Sequence, residues 1–247
     1  MFVRSNTRKL KKFTEEVINI IFPLTCPVCQ EVLKVNYIQI CDTCKKSLPY
    51  IGEPMCKKCG KPLMLEEQEY CYDCSKKEHL FNKGIALWVY DDRIKGSLYR
   101  FKYNNKREYA KVYANEIMHK YGEKIMSWNV DAIIPVPLHK SKLRSRGYNQ
   151  AEILAKELST YIGAPVYTNC VKRIRKTLPQ KGLNNKQRIN NLKNAFKIVN
   201  FDVKLNKVLL IDDIYTTGVT MDGVAEVLRE TGVSDTYFVT VSTGDGL

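Results

Sequence analysis

Residues Val208 to Thr220 read VLLIDDIYTTGVT. The four consecutive aliphatics, Val208, Leu209, Leu210 and Ile211, make the run expected of a strand buried on both faces, as in a parallel sheet. Whatever follows such a strand is presented at the carboxyl edge of the sheet, where small ligands bind. Asp212 and Asp213 come first there, and they offer acceptors to a pair of neighbouring hydroxyls such as those of a ribose. The turn Tyr215, Thr216, Thr217, Gly218 and Val219 supplies backbone N–H groups and hydroxyls that can surround a phosphate. A helix from about Thr220 to Glu230 adds the partial positive charge of its amino end. A buried strand ending in a polar turn explains the aliphatics and one aspartate. It does not explain Asp-Asp followed by Thr-Thr-Gly, an order of residue types suited to holding a phosphorylated ribose.

Outward from this stretch, strand-like and helix-like segments alternate. Gly84 to Tyr90 (GIALWVY) reads as a strand, and Arg93 to Tyr121 as one or two helices broken near Asn104 and Asn105. Asp131 to Pro137 (DAIIPVP) is a buried strand stopped by its prolines. Tyr148 to Tyr161 reads as a helix, Pro165 to Val171 as a strand and Thr236 to Val241 as the last strand. Such alternation argues for an α/β fold, a parallel sheet flanked by helices on both faces.

Two basic stretches accompany this core. After Pro137, Leu138, His139 and Lys140, the run Arg144, Arg146, Gly147, Tyr148, Asn149 and Gln150 reads as the start of a helix with two guanidiniums near its anion-favouring end. Between Glu157 and Asp202 there is no acidic residue and there are nine lysines and arginines. A solvated face normally mixes signs, so this bias implies an anionic partner. Its centre, KTLPQKGLNNKQRINNL, has the composition of a mobile loop, a lid that would exclude water from a developing cation. Lys176, Gln180 and Arg188 are its candidates for contacts to pyrophosphate or an incoming group. The same cations would also grip nucleic-acid phosphates, with strong salt dependence.

The amino-terminal third carries a separate pattern. Eight of nine cysteines form four CxxC pairs, Cys26/Cys29, Cys41/Cys44, Cys56/Cys59 and Cys71/Cys74, whose first members are fifteen residues apart each time. Such pairs bind Zn²⁺ through thiolates in a reducing compartment. The first knuckle of each half leads into a short ribbon and the second into a helix start, which favours sequential sites: Cys26, Cys29, Cys41 and Cys44 on one ion, Cys56, Cys59, Cys71 and Cys74 on another. A cross-brace of first with third and second with fourth pair is equally allowed by counting. Closed four-sulfur sites leave no position for water, so the module is expected to be structural or recognitive rather than catalytic. Cys170 reads as a buried hydrophobe.

The length of 247 residues suits one core plus an accessory module. The expected organisation is a basic amphipathic helix over 1–25, with Phe13, Val17 and Ile21 on one stripe, a double zinc-ribbon-like module over 26–80, and an α/β domain over 81–247. The start imitates a lipoprotein leader, but Glu15, Glu16 and Asn19 interrupt its apolar run and Thr25 is large for a cleavage site. No segment reaches the roughly 18 apolar residues that span a bilayer, and a cytoplasmic location is expected. The formal net charge of +14 points to polyanionic partners.

Residues 208–220 resemble the phosphoribosyl pyrophosphate (PRPP) signature of type I phosphoribosyltransferases at nearly all thirteen positions. The CxxC knuckles, PVPLHxxxxRxRGYNQ, TxxQxxLxxxxRxxNxxxAF (Thr177 to Phe196) and this signature, in that order, are similar to the ComF family of competence-associated proteins. The resemblance covers nearly everything from Cys26 onward. It implies a phosphoribosyltransferase-like domain fused to a zinc-ribbon-like module, acting on single-stranded DNA in natural transformation, with other competence proteins as possible partners. It also implies a PRPP site. Asp212, Asp213, Tyr215, Thr216, Thr217, Gly218, Val219 and Thr220 would hold the ribose and its phosphate, and the loop at Pro137 and Leu138 the pyrophosphate. Mg²⁺ would ride on ligand oxygens and water. If transfer to a nitrogen nucleophile occurs, Asp212 and Asp213 would face the cationic ring, with Arg146, Lys176 and Arg188 near the departing phosphates. A hood would select the nucleophile: the zinc module plus Trp88 to Lys111, where Tyr90, Arg93, Lys95, Arg100, Phe101, Lys102 and Tyr103 interleave aromatics with charge. Val219 stands where Gly or Ala is common in the signature, and its β-branch works against the backbone conformation needed in the phosphate loop.

Overall fold

A computed structural model describes residues 23–34, 37–175, 195–199 and 203–244. The amino-terminal helix with Phe13, Val17 and Ile21, and the lid candidates Lys176, Gln180 and Arg188, lie outside the described residues. The chain divides into two compact units, Met1–Leu48 and Pro49–Leu247. This division falls between the two cysteine sets, inside the stretch 26–80 expected to form one module.

In the first unit a knuckle closes around Cys26, with the bridge between Thr25 and Val32 on either side of it. The short helix α1 (Asp42–Ser47) follows Cys41 and buries Cys44. The second unit repeats this arrangement with a bridge between Met55 and Pro62 and helix α2 (Tyr72–Lys76).

The rest of the second unit is built on a sheet of β1 (Lys83–Val89), β2 (Ala132–Pro135), β5 (Lys207–Tyr215) and β6 (Asp235–Thr243), in the order β1-β6-β5-β2 with every pairing parallel. Helices α3 (Asp92–Tyr103), α4 (Tyr109–Met126), α5 (Lys140–Arg146), α6 (Gln150–Ile162) and α7 (Val219–Arg229) connect or flank the strands. The break near Asn104 is as expected: Asn104 caps α3, and Asn105 takes a left-handed φ of 53°. Val208 to Ile211 are fully buried, as a strand covered on both faces requires. One apolar cluster unites Val208, Leu210 and Phe238 of the sheet with Met221, Val224 and Leu228 of α7. The same cluster takes in Phe81, Cys56, Cys59 and Cys71, so the second zinc ribbon is part of the core.

Three expectations need correction. Pro165 to Val171 is not one strand: Val166 makes a single bridge to Ile133, and β3 (Val171–Arg173) pairs antiparallel with β4 (Phe196–Ile198) as a separate ribbon. Pro165 has no N–H to donate to a ladder, which keeps this segment at the sheet's edge. Arg144 and Arg146 do not open a helix. They end α5, because Gly147 takes a φ of 81° and stops it, and Asn149 then caps α6 by accepting from the Ala151 N–H. Finally, β5 does not end at Ile211 but runs on to Tyr215.

Candidate functional site

The extension of β5 creates the site. β2 stops at Pro135, opposite Ile211, and its continuation stays attached only through the Val136 N–H to the Ile211 carbonyl (2.9 Å). β5 continues past that point, paired with β6 alone, from Asp212 opposite Thr240 to Tyr215 opposite Thr243. On the β2 side the strand edge beside the acid pair is therefore open. A cavity of about 930 Å³ occupies the opening, lined by Asp212, Asp213, Ile214, Thr216 and Thr220 from β5 and the turn into α7, by Leu138, Lys142, Arg146 and Arg173, and by Tyr90, Asp91, Asp92, Lys95, Leu98, Tyr99, Lys102 and Tyr103.

The electrostatics of this cavity are lopsided. Lys102 reaches from α3 to form an ion pair with Asp213. Burial pushes the Asp212 carboxyl up to about 6, against the pull of Lys102, Arg173, Arg146 and Lys142. Burial likewise lowers the Lys102 ammonium to about 8, while Asp212 draws it upward. Burial and the neighbouring Arg173 and Arg146 hold Lys142 below the usual lysine range. Arg146 is fixed by donating to the Gln150 side chain and to the Tyr103 hydroxyl (3.2 Å), with its guanidinium 4.9 Å over the Tyr103 ring. An excess of fixed positive charge inside a partly desolvated cleft is a receptor for an anion.

Beside the acid pair, the chain turns into α7 through Gly218, whose φ of 77° is left-handed. A side chain could not be added: a Cβ would stand 2.6 Å from the His79 ring and 2.8 Å from the Tyr215 hydroxyl. Val219 carries none of this strain, because it is already the first residue of α7 and its side chain is buried. Its departure from the signature therefore leaves the left-handed turn at Gly218 undisturbed. Ile214, Thr216, Gly218 and Thr220 line a small cleft at this helix start, where N–H groups converge. The Tyr215 and Thr217 side chains turn into the core instead, and their hydroxyls are buried.

Sequence reasoning missed the support beneath this loop. His79 is buried, its Nδ1 lies 2.9 Å from Asp222 Oδ2 on α7, and its ring stacks on Phe81. Asp222 also accepts from Lys77 Nζ (2.5 Å) and the Leu80 N–H (3.0 Å). These bonds hold its carboxylate below the usual range despite burial. A histidine five residues past the last paired cysteine and an aspartate in the first turn of the expected helix were the available signals. Among the hood candidates, Trp88 and Phe101 belong to the core, whereas Tyr90, Lys95, Lys102 and Tyr103 line the cavity. No described lining residue comes from the second zinc ribbon.

The eight paired cysteines group sequentially: Cys26, Cys29, Cys41 and Cys44 in one set, Cys56, Cys59, Cys71 and Cys74 in the other, each with all sulfurs within 4.8 Å of one another. Tetrahedral zinc with Zn–S bonds of about 2.3 Å needs sulfurs about 3.8 Å apart. The Cys29–Cys41 and Cys59–Cys71 separations of 3.6 Å are close to that. Both sets fit a closed structural Zn²⁺. Cys170 is buried outside them, its thiol pushed up to about 11 by desolvation.

Comparison with known proteins agrees with this geometry. The double zinc ribbon domain family matches residues 17–75, and the phosphoribosyl transferase domain family matches residues 108–243. Competence protein F of Haemophilus influenzae is 33% identical over 165 residues, 65% of this chain and 72% of that protein. The chain belongs to the ComF family. Competence protein ComFC of Bacillus subtilis is 28% identical over 154 residues, covering 62% of this chain and 60% of that relative. DNA utilization protein YhgH of Escherichia coli K12 is 34% identical over 104 residues, which is 42% of this chain but only 45% of YhgH. The two domain families thus meet in one ComF chain, and the zinc sites and the open acid pair are the parts that each contributes. Among the described residues no helix is long and apolar enough to cross a membrane.

Proposed function

We propose that this ComF-family chain binds PRPP in the cavity at the end of β5 and serves in handling single-stranded DNA during natural transformation, in the cytoplasm and alongside other competence proteins. One observation carries the first half: an acid pair in a cavity walled by Lys102, Lys142, Arg146 and Arg173, beside a helix start that only glycine can form. In this reading Asp212 and Asp213 accept from the ribose hydroxyls. Thr216, Gly218, Val219 and Thr220 surround the 5′-phosphate with backbone N–H groups, and Tyr215 and Thr217 keep the loop in place from below. Leu138, the Pro137 turn and Arg146 face the pyrophosphate. Mg²⁺ enters on ligand oxygens, since the acid pair already has a resident ammonium. For the second half, the support is the names of the relatives and the net charge of +14.

Calorimetry of PRPP with the wild type and with the double variant Asp212→Ala/Asp213→Ala tests the pocket. Hydrogen bonds to charged groups contribute about 1.5–3 kcal/mol each, so the double variant is expected to bind PRPP at least ~10-fold more weakly while retaining inorganic pyrophosphate. Equal PRPP affinity in both proteins would sink the assignment. For the nucleic-acid half, single-stranded DNA is expected to bind with steep loss of affinity as salt rises. A fluorescence titration that does not move between low and moderate salt removes that half.

A second reading, transfer of ribose 5-phosphate to a nitrogen nucleophile, is favoured by the aromatic lining of the cavity. Tyr90, Tyr99 and Tyr103 line it together with the acid pair and offer rings on which a planar molecule can stack. Pyrophosphate release from PRPP across nucleobases, amines and DNA ends decides between binding and turnover.

A further inference from the structure

Lys102 is set differently from the other cations of the cavity. Its Nζ is ion-paired with Asp213 Oδ2, and only 17% of its side chain and 15% of that of Asp213 remain exposed. It also heads the charges that favour the ionised form of Asp212. Lys102, Lys142, Arg146 and Arg173 all favour the ionised form of Asp212, and over all its lining residues the cavity carries one net positive charge. An ammonium is a compact point charge with three donors, so it can face two acceptors at once.

Resting on the PRPP reading above, we propose that Lys102 is the resident cation of the ribose–pyrophosphate subsite, standing where Mg²⁺ would neutralise the ligand and making the divalent ion dispensable for binding. With three donors, Lys102 can keep Asp213 Oδ2, leave the remaining acceptor sites of the acid pair to the ribose hydroxyls, and turn another N–H to an incoming pyrophosphate oxygen. The lysine therefore bridges carboxylate and phosphate and stays paired throughout. Its helix, α3, also carries the cavity-lining Tyr99 and Tyr103.

The test titrates PRPP by calorimetry in buffer stripped of divalent ions on a resin rather than by a soluble chelator, with zinc content checked so that the cysteine sites stay filled. A parallel titration contains millimolar Mg²⁺. The wild type is expected to change affinity by less than about 3-fold between the two buffers, whereas Lys102→Met loses about 30-fold without Mg²⁺ and regains most of it with the ion, the size of one charge-assisted bond. Lys102→Arg, which keeps the charge but not the compact ammonium, is expected to lose less than Lys102→Met without Mg²⁺. Wild-type binding that falls 10-fold or more without Mg²⁺ overturns the proposal, and this arm decides even if Lys102→Met fails to fold. So does an equal loss by Lys102→Met in both buffers. PRPP binding by the wild type that strictly needs Mg²⁺ leaves the pocket assignment standing and removes only the lysine's role. No binding in either buffer removes both.

Discussion

The two zinc ribbons share a cysteine spacing and a knuckle geometry, yet the chain uses them differently. In both, the first cysteine N–H donates to the carbonyl five residues on, Cys26 to Glu31 (2.9 Å) and Cys56 to Lys61 (2.8 Å). In both, the residue after the second cysteine is left-handed: Gln30 at a φ of 69° and Gly60 at 73°. The first ribbon tolerates a glutamine there. The second does not, because a Cβ on Gly60 would stand 2.7 Å from the Gly84 carbonyl oxygen of β1, whose N–H donates to Lys58. Glu31 is exposed, whereas Lys61 is buried and paired with Asp73 at 2.8 Å. Cys29 is exposed, whereas Cys59 lies in the same apolar cluster as Phe81, Tyr215 and Phe238. An identical ligand set thus closes a ribbon of its own in one unit and completes the core behind the turn into α7 in the other.

The sharpest way to break this comparison is to remove one sulfur from each site. Cys59→Ser opens a buried tetrathiolate whose metal contributes free energy directly to folding, so it is expected to cost the second unit several kcal/mol, ~5 or more, and to abolish PRPP binding. Cys29→Ser is expected to release zinc from the first site and leave PRPP affinity within about 2-fold of wild type, because that ligand set closes within its own compact unit. Thermal unfolding followed with zinc stoichiometry and calorimetry reads both. Equal damage to PRPP binding by the two variants would mean that the ribbons share one role.

How much of this was legible beforehand differs by region, for physical reasons. The α/β alternation and the buried run Val208 to Ile211 could be read because apolar periodicity reports burial directly. The sequential cysteine sets followed from knuckle and helix-start patterns, which are local. The continuation of β5 through Asp212 and Asp213 was not legible, because adjacent aspartates disfavour strand and look like a turn. Pairing with β6, from Asp212 opposite Thr240 onward, overrides that preference. The placement of Arg146 was misread because Gly147 and Asn149 mark a helix end and the next helix start within three residues, leaving no room for the arginines in the later helix. The hood was half right: charge and aromatic content identified α3, but only packing could show that Phe101 points into the core and Lys102 into the cavity. The unequal standing of the two ribbons had no signal in the cysteines at all. It depends on His79 and Phe81, which follow the second ribbon and meet residues of α7 and β6 far along the chain.

That long-range contact yields the finer prediction. Lys77, His79 and Leu80 form the stretch between the last cysteine of the second site and β1, and all three bond Asp222 in the first turn of α7. His79 also fills the space that a side chain on Gly218 would need, so the ring sets how close the Gly218 turn lies to the ribbon. His79→Leu keeps much of the volume and removes the bond to the carboxylate, leaving Asp222 with Lys77 and the Leu80 N–H. The expected cost in stability is about 2 kcal/mol, the value of one hydrogen bond to a charged group. If His79 only filled the core, this loss would appear in unfolding alone, and PRPP affinity measured well below the melting temperature would be unchanged. If it holds the loop, affinity falls by about 5-fold or more at full zinc occupancy, and His79→Asn, which can still donate to Asp222, recovers part of it. Unchanged affinity in the folded His79→Leu protein would confine the second ribbon to stability, and its difference from the first would then be one of burial rather than of function.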